Sequence, residues 1–354
     1  MGQNNGEKYV AYIGSYTHGK AKGITICDVD VEKGRCTKRK EVEINNPSYM
    51  VAANSGKYLY SICDEGLAAY LILPDGDLEL INRASINGMR GCHITINKDD
   101  SYLFVAGYHD AKATVVKVRE DGGIGEVTDE MYNHGLGSVG ERNFRAHISC
   151  AALTPDEKYL MVCDMGIDQV KAYRFDKAKG KLKLVDILRC ELESAPRTMI
   201  FSPDGRFAYL LCELKNYISI YTYQDGGKGP VFELIERVSA VENRQSNITA
   251  SVAIKMSKDG KYVFVTSAGG NGLAFFRRNV EEGRLRRLSV LPISGEFPKD
   301  FMLLPDEKHF VSLNHDSNQL TFFTLNYEQG IIIMNGHPID IEKPNCGIIV
   351  KINN

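Results

Sequence analysis

One pattern recurs six times down the chain: a strand-like run, a polar turn, then Lys, Arg or Ser before an aromatic residue or histidine. It reads "VAANSGKYLYSI", "ITINKDDSYLFVAG", "AALTPDEKYLMVCD", "IFSPDGRFAYLLCE", "IKMSKDGKYVFVTS" and "LLPDEKHFVSLN". With Tyr58, Tyr102, Tyr159, Phe207, Tyr262 and His309 as markers, the spacings are 44, 57, 48, 55 and 47 residues. A period near 50 is the signature of a repeat architecture. Each unit continues into two further strand-like segments, as "NYISIYTY" and "FELIERVSA" do in the fourth, with Gly, Asp and Asn turns between. Four short strands per unit describe a propeller blade.

Two unmatched ends remain. The N-terminal "KYVAYIGSYTHGKAKGITICDVDVEKGRCTKRKEVEI" resembles strands two to four of a blade, and the C-terminal "KPNCGIIVKI" resembles a first strand. Together they complete a seventh. Pairing both chain ends in one blade closes the ring and removes an exposed sheet edge. The expectation is an all-β, seven-bladed β-propeller with four antiparallel strands per blade. Residues 1–354 form a single domain, and residues 345–351 lie beside residues 9–15. A pair of β-sandwiches would have no reason to keep this period.

Bulk properties narrow the partners. The chain carries 43 Lys plus Arg against 45 Asp plus Glu, a net charge of −2. Such a balance gathers neither nucleic acid nor an anionic membrane. No apolar run reaches the ~18 residues of a membrane helix. "MGQNNGEKYV" lacks the basic and apolar regions of a signal peptide. A cytoplasmic location is expected. The nine cysteines are scattered, without a Cys-x-x-Cys, and read as free thiols.

The stretch "APRTMIFSPDGRFAYLLCELKNYISIY" sets an arginine and a carboxylate among apolar residues. The inner strand of a blade starts, and its second strand ends, at the same face of the disc. A hairpin centred between Asp204 and Gly205 makes Arg197 and Glu213 near neighbours at one mouth of the channel. His93 in "GCHI", His147 in "RAHI" and Lys299 in "FPKD" stand at comparable openings. Each residue has a plainer role available, as an ion pair, a hydrogen-bonded wall residue or a rim charge. Their shared register points to a central pocket with convergent polar groups.

Other chemistries lack their motifs. The sequence has no Gly-x-Ser-x-Gly elbow, Walker loop, His-Glu-x-x-His or dinucleotide fingerprint. "SAGGNG" falls between two strands of one blade and reads as a loop. The strand openings do not offer the clustered carboxylates of a hard divalent cation, so neither metal nor cofactor is expected.

The combination of "YIGSYT", "HGLGSVGERNFRAHIS", "APRTMIFSPDGRFAYLLCELKNYISIY" and "FPKDFMLLPDEKHFV" resembles the bacterial lactonase family of seven-bladed propellers. That family contains the 6-phosphogluconolactonase type and the carboxymuconate lactonizing enzymes, and the resemblance spans nearly the whole chain. It implies an active site at His147, Arg197 and Glu213. His93, Arg142 and Lys299 would line the substrate pocket. Relatives often carry His-x-His where this chain has "HIS" with Ser149, and Pro-Arg-His where it has Thr198. Ala268 stands where they carry arginine, and Lys299 where they have Pro-Arg-Asp-Phe. Arginine grips phosphate or carboxylate through a fork that lysine does not copy. The implied function is metal-independent hydrolysis of a sugar-acid lactone. Its partner is a small lactone or anionic sugar acid, with His147 or Glu213 as base and Arg197 facing the oxyanion. The alternatives are a carboxymuconate-type cycloisomerase and a non-enzymatic binding scaffold.

Overall fold

The computed structural model describes residues 7–140, 143–242 and 249–352. Its strands form seven four-stranded antiparallel blades, the last of them built from both chain ends. Blade one spans residues 50–84 and blade two 93–132. Blades three, four, five and six span 148–189, 196–239, 250–292 and 298–334. In blade six, Ile339–Asp340 extends the outer position. In blade seven the inner strand Pro344–Ile352 pairs antiparallel with Lys8–Ser15, from Lys8 opposite Ile352 to Ser15 opposite Pro344. The closure expected from the half-units is therefore present. A separate hairpin, Leu136–Gly140 with Asn143–Arg145, precedes blade three.

Packing between neighbouring blades explains the sequence pattern. A second strand has apolar partners on both faces, so it reads as a continuous hydrophobic run. Tyr102–Gly107, Tyr159–Asp164 and Phe207–Cys212 are buried at every residue. Outer strands such as Pro230–Ser239 face solvent and are mostly polar or half-buried. All six markers are the first residues of these second strands.

The turn between first and second strands is equally regular. Two residues before each marker, Gly56, Asp100, Glu157, Gly205, Gly260 and Glu307 all have φ between 54° and 72°. Glycine enters this left-handed region freely, whereas a carboxylate residue needs compensation. Asp100 accepts hydrogen bonds from the backbone N–H of Asn54 (2.7 Å) and Ser55 (2.9 Å) in blade one. Glu157 accepts from Lys98 N–H in blade two, and Glu307 from Lys258 N–H in blade five. The strained residues thus stitch adjacent blades together.

Among the described residues no helix is long and apolar enough to cross a membrane. All nine cysteines are free, seven of them buried.

Candidate active site at the channel mouth

A β-bulge governs the entry of the inner strands. In blade four, Pro196 pairs with Cys212 and Thr198 with Leu211, which leaves Arg197 as the extra residue. The same shift isolates Ser149, Val252 and Lys299 in blades three, five and six, and Asn345 in blade seven. A bulge re-aims a side chain and ends regular pairing. Arg197 lies ten residues before its marker Phe207, and so do Ser149, Val252 and Lys299 before theirs. The same offset selects Ser48 and Cys92 in blades one and two. These positions and Asn345 line one cavity of about 650 Å³ at the channel mouth. Its size suits a small polar metabolite.

Arg197 bridges two blades. Its Nη1 donates to Glu213 Oε2 in an ion pair, and its Nε donates to the Val252 carbonyl of blade five (2.8 Å). The Glu213 side chain is only 3% exposed, against 28% for Arg197. The carboxylate holds the guanidinium, and both side chains line the cavity. Ser149 Oγ donates to the Arg197 carbonyl (2.7 Å), fixing the bulge from blade three. Glu213 follows the end of a second strand, and the equivalent positions Tyr108, Met165 and Ala268 also line the cavity.

His93 and His147 prove not to be register equivalents of Arg197. His93 falls one residue after the bulge position and His147 two residues before it. The reason is local: the bulge adds a residue at the strand entry, so the residues on either side of it do not share the aim of the bulge position. His93 lines the cavity with its ring tilted against that of Tyr49, the ring centres 4.7 Å apart. Its nitrogens face the wall, with Nδ1 accepting from Ala151 N–H (3.4 Å) and Nε2 3.8 Å from the Cys150 thiol. His147 is 4% exposed, donates from Nδ1 to the Tyr108 carbonyl (2.9 Å) and stacks against that ring at 4.2 Å. It stands behind Tyr108, which in turn lines the cavity. Arg142 lies outside the described residues.

The opposite wall is cationic. Lys299 Nζ sits 4.5 Å from the centre of the Tyr16 ring, and the Arg90 guanidinium is 5.3 Å from the same ring. Arg90 is paired with Asp64 at 2.6 Å. Burial, reinforced by the Arg197 charge, pushes the Lys299 ammonium down to about 8. Neighbouring Asp300 is committed elsewhere, to Lys255 (2.8 Å) and to the Gly347 N–H (3.0 Å). The Cys92 thiol is pushed up to about 12 by burial, which leaves it a poor nucleophile. Among the described residues no three His, Cys, Asp or Glu side chains cluster as a metal site.

Tyr16, Arg90, Asn345 and Ser48 were not singled out in the sequence. The constant ten-residue offset from the markers would have found Ser48. Asn345 sits on the one inner strand that has no marker downstream of it. Tyr16 directly follows Ser15, the end of the second strand of blade seven, and so is the register counterpart of Glu213, a signal that would have found it; Arg90 is a loop residue outside the repeat and carries no such signal.

Residues 10–349 match the family described as lactonase, 7-bladed beta-propeller. The chain is 29% identical over 345 residues to the 6-phosphogluconolactonase of Bacillus subtilis, covering 96% of this chain and 97% of that protein. It is 31% identical over 316 residues to an uncharacterized protein of Staphylococcus epidermidis, covering 87% and 90% of the two chains. A solved structure from Bacteroides fragilis, described as a candidate 6-phosphogluconolactonase, superposes with a TM-score of 0.90 at 27% identity and covers 99% of this chain and 100% of its own. By fold, by span and by the family match, this chain belongs to the lactonase family of seven-bladed β-propellers.

Proposed function

We propose that the protein hydrolyses a sugar-acid lactone, of the kind its Bacillus subtilis relative is named for, in the cavity at the channel mouth. The observation that carries this reading is the Arg197–Glu213 pair, turned by a bulge into a cavity of sugar size within a lactonase-family chain. Ring opening develops negative charge on the carbonyl oxygen, and a fixed guanidinium meets that charge without reorganisation. Arg197, backed by Glu213 and tied to the Val252 carbonyl, is the group assigned to the oxyanion. His147 is assigned a positioning role, holding the Tyr108 wall. His93 shapes the cavity beside Tyr49.

Permanent cations at Arg90 and Arg197 favour an acidic or phosphorylated lactone over a neutral one. The loss of arginine at Ala268 makes the phosphorylated preference the point to measure. The test is turnover of a panel of phosphorylated and unphosphorylated aldonolactones, with a carboxymuconate as the cycloisomerase substrate, each measured above its spontaneous rate. Hydrolysis of an aldonolactone, unaffected by chelator, is the expected outcome. Turnover of the muconate alone would move the assignment to the cycloisomerase reading, and no turnover at all would leave a binding scaffold.

A further inference from the structure

We propose that Lys299 acts as the general base of the ring opening, its amine taking a proton from the attacking water; this rests on the lactonase reading above. Lys299 is the extra residue at the entry of blade six, and the shift between Pro298 and Asp300 turns it to the cavity as the equivalent shift turns Arg197. The two side chains therefore converge on the same space from blades four and six.

The surroundings of the amine suit a proton acceptor. Among the described residues Lys299 Nζ has no carboxylate within ion-pair distance, and it lies over the face of Tyr16. The nearest acid in sequence, Asp300, is taken by Lys255 and by the Gly347 N–H. The charged and titratable groups facing it are Arg197 from blade four, Arg90 from the loop ahead of blade two, and Tyr16 and Cys346 from blade seven. His315 and Asp316 follow the second strand of blade six. Burial and the two arginines favour the neutral amine, and Cys346 and Asp316 oppose them more weakly. A lysine desolvated next to another cation is a recognised way to obtain an amine that works near neutral pH.

The two histidines and the glutamate that the sequence singles out are engaged. The His93 nitrogens face Ala151 N–H and Cys150, His147 is held behind Tyr108, and Glu213 is held by Arg197. The arginines cannot release a proton at any working pH. A division of labour follows, with Arg197 meeting the oxyanion and Lys299 handling the proton. In the step itself one water O–H bond breaks, its proton passes to Nζ, and the water oxygen bonds to the lactone carbonyl carbon. The ring C–O bond then breaks, and the leaving alkoxide takes the proton back from the ammonium. The net change is consumption of one water.

The test is the pH profile of kcat/KM on the best aldonolactone of the panel, corrected for spontaneous hydrolysis, for wild type, K299R and K299M. Wild type should rise with pH and level off near 8. K299R keeps the charge and removes the titrating amine, so it should lose about 100-fold or more together with that limb. K299M checks that lost rate is not lost folding, since its melting temperature should match or exceed that of wild type. Added methylamine should restore part of the K299M rate in proportion to its free base. Competitive acetylation mapped by mass spectrometry gives a readout independent of turnover, with Lys299 labelled well ahead of surface lysines at pH 8. A K299R enzyme within about threefold of wild type and with the same limb would overturn the proposal alone. So would an amine that stays protonated above pH 10. Wild type inactive on the whole panel would instead overturn the lactonase reading, and the base assignment with it.

Discussion

At the scale of single residues, the pair at the channel mouth is both a structural and a chemical element. Glu213 is buried and charge-balanced by Arg197. Removing the arginine takes away the cation that balances this buried carboxylate, at a cost of about 3 kcal/mol. Arg197→Ala should therefore lower stability in urea titrations by that order while costing about 100-fold or more of kcat/KM; a variant as stable as wild type would show that the pair is solvated. His147→Ala should behave differently from the deletion of an active-site base. The ring fills a buried space and holds Tyr108 through its carbonyl. Losing both is expected to cost about 2 kcal/mol, with only a modest drop in kcat. A fully stable but inactive His147→Ala protein would restore His147 as the base.

Lys299 adds a pH-dependent stability. Its folded-state value near 8 lies below the ordinary 10.5. Below pH 8 both folded and unfolded chains hold the proton, and the full cost of burying the ammonium is present. Between pH 8 and 10.5 the folded state has released it while the unfolded state has not, so stability rises through that window. K299M should therefore exceed wild type in melting temperature at pH 7, by a margin that narrows above pH 8; a constant margin would exclude this origin.

At the scale of elements, the hairpin turns carry more than chain reversal. Asp100 holds φ at 60° and ties its carboxylate to two N–H groups of the preceding blade. Asp100→Ala keeps the backbone strain and loses the tie, for an expected loss of about 2 kcal/mol in thermal unfolding. A loss below 0.5 kcal/mol would mean that water replaces the carboxylate. These turns and the buried second strands were legible in the sequence because both repeat. The Arg197–Glu213 contact was legible because hairpin register is simple arithmetic. The bulges were not, since an extra residue in a strand leaves no mark on hydrophobic alternation. Hence the sequence pattern points to His93 and His147 for positions that Cys92 and Ser149 hold. Tyr16 follows the second strand of blade seven as Glu213 follows that of blade four, whereas Arg90, on the loop between blades one and two, had no period from which to be read.

For the whole molecule, ring closure is the decisive feature. The inner strand Pro344–Ile352 is supplied by the C-terminus and packs Cys346, Val350 and Ile352 against Val10, Tyr12 and Met50. A chain ending at Lys343 would leave the edge of Lys8–Ser15 unpaired and remove Asn345 from the cavity wall. It should aggregate or lose cooperative unfolding. A monomeric truncated protein with the wild-type melting temperature would contradict that.

The closed ring also gives the site its rigidity, because the bulge residues of five blades aim at one cavity only while every blade holds its place. The most direct measurement is the rate of ring opening of 6-phosphoglucono-δ-lactone, followed by acid release at constant pH and compared among buffer, wild type and Arg197→Ala. Wild type should exceed the spontaneous rate, and the variant should lose about 100-fold or more of kcat/KM. A wild-type rate equal to the buffer, or a variant as fast as wild type, would contradict the assignment of a lactone-opening site to the Arg197 cavity.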